Sequence, residues 1–122
     1  MRSNAYAVRR EAHVERQREE SAAGLMSDRF PGVSSIVVTM NYKGDRLSSL
    51  VRTVNFFAGS PAYFRISCLG EGCERGALDL TWVIHRMIRG RERSAKGELG
   101  CENRDPAVHH ANVDYGVTIT YR

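Results

Sequence analysis

The sequence predicts an α+β domain: an antiparallel sheet of about four to five strands, one amphipathic helix packed on a face of it, and a further helix at the amino terminus. Three observations carry this prediction. Residues 113–121 alternate between Val113, Tyr115, Val117, Ile119 and Tyr121 on one parity and mostly polar residues on the other, the period of a half-buried strand. Residues 36–42 alternate in the same way through Ile36, Val38, Met40 and Tyr42. Between them, Leu80, Val83, Ile84, Met87 and Ile88 recur at the spacing of one continuous helix face. The connections are short, which favours hairpins and an antiparallel sheet.

Taken in order, residues 4–26 contain no proline and are rich in Ala, Arg, Glu and Gln, which predicts a helix. Arg16 and Glu20 can pair one turn apart, while Glu11, Glu15 and Glu19 form a like-charged row. Val8, Ala12, Leu25 and Met26 offer only a thin apolar edge, so this helix reads either as a solvated element resting on the domain or as an arm for a partner or a second copy. Residues 1–27 are therefore set apart as a polar helix or arm, and 28–122 as a single α+β domain. Phe30-Pro31-Gly32 breaks the helix. The strand at 36–42 turns at Lys43-Gly44-Asp45 into a second strand at 50–57, giving a hairpin. Gly59-Ser60-Pro61 ends it. Ala62, Phe64, Ile66 and Cys68 then alternate with Tyr63, Arg65 and Ser67, a third strand that delivers Cys68 at its end. Gly70, Gly72 and Gly76 make 68–76 a tight loop. In the amphipathic helix, Asp79 is expected in the first turn, Arg86 and Arg89 in the last, and Gly90 at the stop. Trp82 reads as a residue at the edge of the core, and His85 and His13 as surface histidines. Residues 94–101 form a short strand before the closing one.

Composition bounds the function. The chain has 122 residues, one ordinary domain, and a hydrophobic fraction of 42% argues against whole-chain disorder. Aromatics are only 8%, so the core must be mostly aliphatic. A net charge of +4 permits an anionic partner without requiring one. No apolar run approaches the ~20 residues of a membrane helix, and residues 1–21 lack the apolar middle of a signal peptide. The expected setting is a reducing cytoplasm, and three cysteines, an odd number, do not make a fully paired disulfide framework. No phosphate-cradling glycine loop, nucleophile elbow or His-Glu-x-x-His helix is present.

The chemistry-bearing residues are three cysteines and a histidine pair. Cys68 and Cys73 flank a glycine-rich loop; Cys101 follows the helix, and His109-His110 precede the last strand. Cys68, Cys73, Cys101 and His110, with His109 as the substitute, could supply the thiolate and imidazole ligands of one structural zinc. Two other readings stand beside it: three reduced cysteines buried for packing, or a disulfide or redox pair between Cys68 and Cys73. A catalytic zinc would need an acid or base, for which Glu71, Glu74 and Glu102 are near in sequence.

Phe64-Arg-Ile-Ser-Cys68, Cys73-Glu-Arg-Gly76-Ala-Leu-Asp-Leu80, Gly97-Glu-Leu-Gly-Cys101 and Val113-Asp-Tyr115 together resemble a zinc-ribbon-like pattern of small uncharacterised bacterial proteins, in which paired cysteine loops surround a helix and a closing strand. The resemblance covers roughly the second half of the chain. It implies a fourth cysteine where His109-His110 stand here, a change that keeps a metal-binding side chain, and it implies no activity.

Arg86, Arg89, Arg91, Arg93 and Lys96 crowd the end of the helix and the turn after it, against Glu92 alone. They read either as a solvated helix end whose cations complement the dipole or as a phosphate-contacting patch. The expectation from sequence is a small cytoplasmic binding or adaptor domain with a candidate site for one structural zinc. Its partner would be another protein or a second copy of the chain. Nucleic-acid binding through the arginine patch is the first alternative, and a metal- or thiol-dependent enzyme the second.

Overall fold

A computed structural model describes residues 3–43, 50–68, 73, 76–102 and 111–122. The elements are α1 (Ser3–Ala23), α2 (Met26–Arg29), β1 (Val33–Lys43), β2 (Val51–Phe56), β3 (Arg65–Ser67), β4 (Ala77–Asp79), α3 (Thr81–Gly90), β5 (Ser94–Gly100) and β6 (Asn112–Tyr121). Strands β2, β1, β6 and β5, in that spatial order, make an antiparallel sheet. The predicted α+β class holds. The third predicted strand is shorter than its alternating pattern and leaves the main sheet: β3 pairs with β4, whose sequence predicts the end of a loop and a helix start, as a separate two-stranded ribbon.

Alternation decides which face of the sheet is covered. Ile36, Val38, Met40 and Tyr42 of β1 lie opposite Val113, Tyr115, Val117 and Ile119 of β6 on one face, all but Tyr115 buried. The opposite parity, Thr39, Asn41, Thr118 and Asp114, is polar, and Lys43 ties the edge by ion pairs to Glu98 and Asp114, each at 2.9 Å. The buried face is closed by Val83, Ile84 and Met87 of α3, by Met26 of α2, and by Phe64, Ile66, Leu78 and Leu80 around the ribbon. Each such fully buried side chain contributes about 1.5–3 kcal/mol. Gly97 of β5 faces Tyr115, where a Cβ would lie 2.6 Å from the phenol oxygen, so only a glycine admits that ring.

Arg52 joins the two sheets. Its residue pairs with Met40 on the covered face, and its guanidinium donates to the Ser67 carbonyl at 3.1 Å. The first helix ends at Gly24, whose φ of +78° turns the chain into α2, and Arg29 donates to the Ala23 carbonyl at 3.0 Å, a cation on the helix carboxyl end. Although polar, α1 touches the body: Ala12 is buried, and Glu19 accepts from the Tyr63 hydroxyl and pairs with Arg65 at 2.8 Å. Among the described residues, no helix is long and apolar enough to cross a membrane.

Three local expectations for α3 are corrected. Asp79 lies just before the helix rather than in its first turn, its carboxylate accepting the Thr81 N–H at 2.9 Å. The left-handed residue at the exit is Arg91, with φ 51°, not a glycine. The Arg91 and Glu92 amides donate to the Ile88 and Met87 carbonyls, closing a Schellman turn, and the Arg91 guanidinium covers the Tyr121 ring at 4.6 Å. His85 is half-buried, not a free surface residue: its ring packs against Phe30 and Phe64, with centroids 5.4 and 6.0 Å away.

Burial, then the charges of Arg29 and Arg89, hold the His85 imidazole below its ordinary value near 6.5, against a smaller opposing effect of Asp79. The folded state therefore resists a proton that the unfolded chain accepts. The stability tied to neutral His85 is complete above the unfolded value and is lost as pH falls through the folded one. Denaturant melts at a series of pH values below neutrality should show this decline, and His85→Leu should flatten it; an unchanged pH profile in that variant would remove His85 as its source.

Candidate metal centre

The ribbon and the end of β5 meet at one end of the core, and backbone hydrogen bonds set where Cys68 and Cys101 sit. Cys68 follows β3, and its N–H donates to the Gly76 carbonyl at 3.0 Å, which closes the glycine-rich loop across the mouth of the β3–β4 ribbon. Cys101 follows β5. Its N–H donates to the Ala111 carbonyl at 3.1 Å, continuing the β5–β6 ladder, and the next amide, of Glu102, donates to the Ala77 carbonyl at 2.9 Å. That second bond pins the β5 exit to β4. Arg65 reinforces the junction, since its guanidinium pairs with the Glu102 carboxylate as well as with Glu19.

The outcome is a compact thiol triad. The sulfurs of Cys68, Cys73 and Cys101 all lie within 4.8 Å of one another. Cys73 Sγ and Cys101 Sγ are 3.6 Å apart, and no disulfide joins the three cysteines. Cys68 and Cys73 are buried and belong to the hydrophobic core, while Cys101 is half-buried against it. The Ala111 N–H points at Cys68 Sγ from 3.4 Å, the arrangement that stabilises a sulfur carrying negative charge. Burial above all pushes the Cys73 thiol up from its ordinary value; Cys68 adds to this, and the contacts with Cys101 and the Gly76 backbone oppose it. That direction is opposite to the one that activates a nucleophilic cysteine.

The triad can hold a metal ion. Tetrahedral Zn–S bonds of about 2.3 Å place ligand sulfurs roughly 3.8 Å apart; Cys73 Sγ and Cys101 Sγ are 3.6 Å apart, and all three sulfurs lie within 4.8 Å of one another. The three cysteines grouped from the sequence thus lie in one cluster, Cys68 and Cys73 from between β3 and β4 and Cys101 from the end of β5. His109 and His110 lie outside the described residues, as do Glu71 and Glu74. Glu102 is described, and its carboxylate is taken up by Arg65.

The arginine patch is less uniform than the sequence suggests. Arg91 is spent on Tyr121, and Arg86 lies over the Trp82 ring at 5.0 Å, with its Nε 3.5 Å from Glu92. Lys96 sits on the outer parity of β5, opposite Gly116. Trp82 overturns its expected place at the core edge: it is 67% exposed. The helix spacing contained the signal. At about 100° per residue, Trp82 falls nearly opposite the centre of the arc formed by Leu80, Val83, Ile84 and Met87. No protein-family model, curated protein or solved structure matches this chain.

Proposed function

We propose that Cys68, Cys73 and Cys101 bind one zinc ion as a structural staple, and that the chain is a small binding or adaptor module whose shape this ion maintains. The observation that carries the reading is the convergence of three sulfurs, two from between β3 and β4 and one from the end of β5, to within 4.8 Å. His110 is the proposed fourth ligand, with His109 as its substitute. In sequence His110 immediately precedes Ala111, whose amide reaches the Cys68 sulfur. A structural rather than catalytic role is supported by the burial of Cys68 and Cys73 in the core and by the engagement of Glu102 with Arg65.

The test is elemental analysis of tag-free protein, a thiol count in denaturant, and a cobalt titration. One zinc per chain is expected, with three thiols titrating once a chelator withdraws it. The cobalt form should show thiolate-to-metal charge transfer and tetrahedral d–d bands. His110→Ala should weaken metal binding more than His109→Ala. Metal-free protein with three freely reacting thiols and no cobalt–thiolate band overturns the proposal.

A further inference from the structure

The outward face of α3 carries a second feature, independent of the metal. Trp82, Arg86 and Arg89 fall within about 60° of one another around the helix, on the side away from Val83, Ile84 and Met87. Arg93 follows just beyond the helix end and is exposed. Burying an indole removes a large apolar surface from water, so a tryptophan left 67% exposed forgoes a substantial stabilisation. The guanidinium carbon of Arg86 lies 5.0 Å from the ring centroid and covers one face of the indole. At that degree of exposure the opposite face is open.

We propose that this face binds single-stranded nucleic acid, an unpaired base stacking on the open side of Trp82 while Arg86, Arg89 and Arg93 contact the adjoining phosphates. The components are those such recognition requires: a flat aromatic platform, which accepts any base, beside cations that follow the backbone. Charge selects this occupant over a protein partner. Glu92 is the single acid among Arg86, Arg89, Arg91 and Arg93, and its ion pair with Arg86 is long, 3.5 Å, and exposed, so a phosphate can displace it. A duplex cannot offer the stacking contact, because its bases are already stacked on one another.

Trp82 is the only tryptophan in the chain, so fluorescence excited on the red edge of the indole band, where the tyrosines do not absorb, reports on this site alone. The experiment titrates the full chain with an oligothymidylate of about ten nucleotides, a length that one small domain spans. Saturable quenching is expected at low salt. Affinity should fall with rising salt at a logarithmic slope near −2, which corresponds to about three phosphate contacts on a single strand. Trp82→Ala, read by anisotropy of a labelled oligonucleotide, should weaken binding about fivefold or more, the low end of base–aromatic stacking. Trp82→Phe should retain part of the affinity, Arg89→Glu should lose most of it, and Glu92→Gln should gain. Since Trp82 and Arg89 are exposed, these variants keep the fold, which circular dichroism checks. Two results overturn the proposal: equal binding by wild type and Trp82→Ala, or heparin and duplex binding as tightly as the single strand with Trp82 fluorescence unchanged. Absence of binding at low salt also overturns it and leaves a protein partner as the occupant of this face.

Discussion

Cys68→Ser is expected to lower stability at saturating zinc by roughly 5 kcal/mol, about 4 of it the linkage contribution of a ligand present at about a thousand times its Kd and the rest lost packing. The same substitution should cost only about 1 kcal/mol when a chelator keeps the protein metal-free. The difference arises because a preformed site does not exist in the unfolded chain, so binding free energy is folding free energy. Serine removes the proposed zinc ligand but leaves an oxygen that can still accept the Ala111 N–H, so the zinc-free cost is confined to poorer packing in the buried Cys68 pocket. The measurement is a denaturant melt of wild type and variant, each with buffered zinc and with chelator. An equal loss under both conditions would mean that Cys68 only packs, and the staple would be wrong even if zinc were found in the preparation.

Where one physical signal dominated, the sequence was sufficient. The alternation of β1 and β6 reflects one dry face and one wet face, and both strands lie where that pattern places them. The apolar arc of α3 likewise meets the core through Val83, Ile84 and Met87. The convergence of the cysteines was legible for a related reason. Cys68 and Cys101 each follow a strand, antiparallel pairing returns strand ends to one another, and Cys73 lies between β3 and β4. What could not be read was tertiary. The alternation from Ala62 to Cys68 looks like one more strand of the sheet, yet β3 is captured by β4, a segment of three residues too short to announce itself. Arg91 adopts a left-handed conformation that sequence rules assign to glycine, because two closing hydrogen bonds and the Tyr121 ring hold it there. His85 sits on what looks like a polar position, but Phe30 arrives from another part of the chain to cover it. Trp82 is a different case. Its spacing placed it outside, and only the general tendency of tryptophan to be buried pointed inward.

Phe64→Ala should cost about 3–5 kcal/mol, and by the same amount with zinc or with chelator. Phe64 is 1% exposed and stands where three elements meet: its ring packs edge-on against Phe56 of β2 at 5.1 Å and against His85 of α3 at 6.0 Å, and tilted against Phe30 at 6.2 Å. Its carbonyl also accepts the Leu80 N–H at 3.0 Å, which fixes the entry to α3. Truncation leaves that backbone bond in place and removes the ring, so the loss combines transfer of the ring from the core, the cavity left behind, and the aromatic contacts, each of the last worth about 0.5–1.5 kcal/mol. A local readout separates cavity from collapse. With water admitted beside it, His85 should titrate closer to its ordinary value, which proton NMR of the imidazole can follow. The contrast with Cys68→Ser is the decisive comparison. The core variant should be weaker by a constant amount at every zinc concentration, whereas the cysteine variant should diverge from wild type as zinc rises. A Phe64→Ala protein whose deficit grows with zinc would mean that the aromatic cluster and the metal centre are one cooperative unit, and that α3, with Trp82 on its outer face, is positioned by the metal as much as by the core.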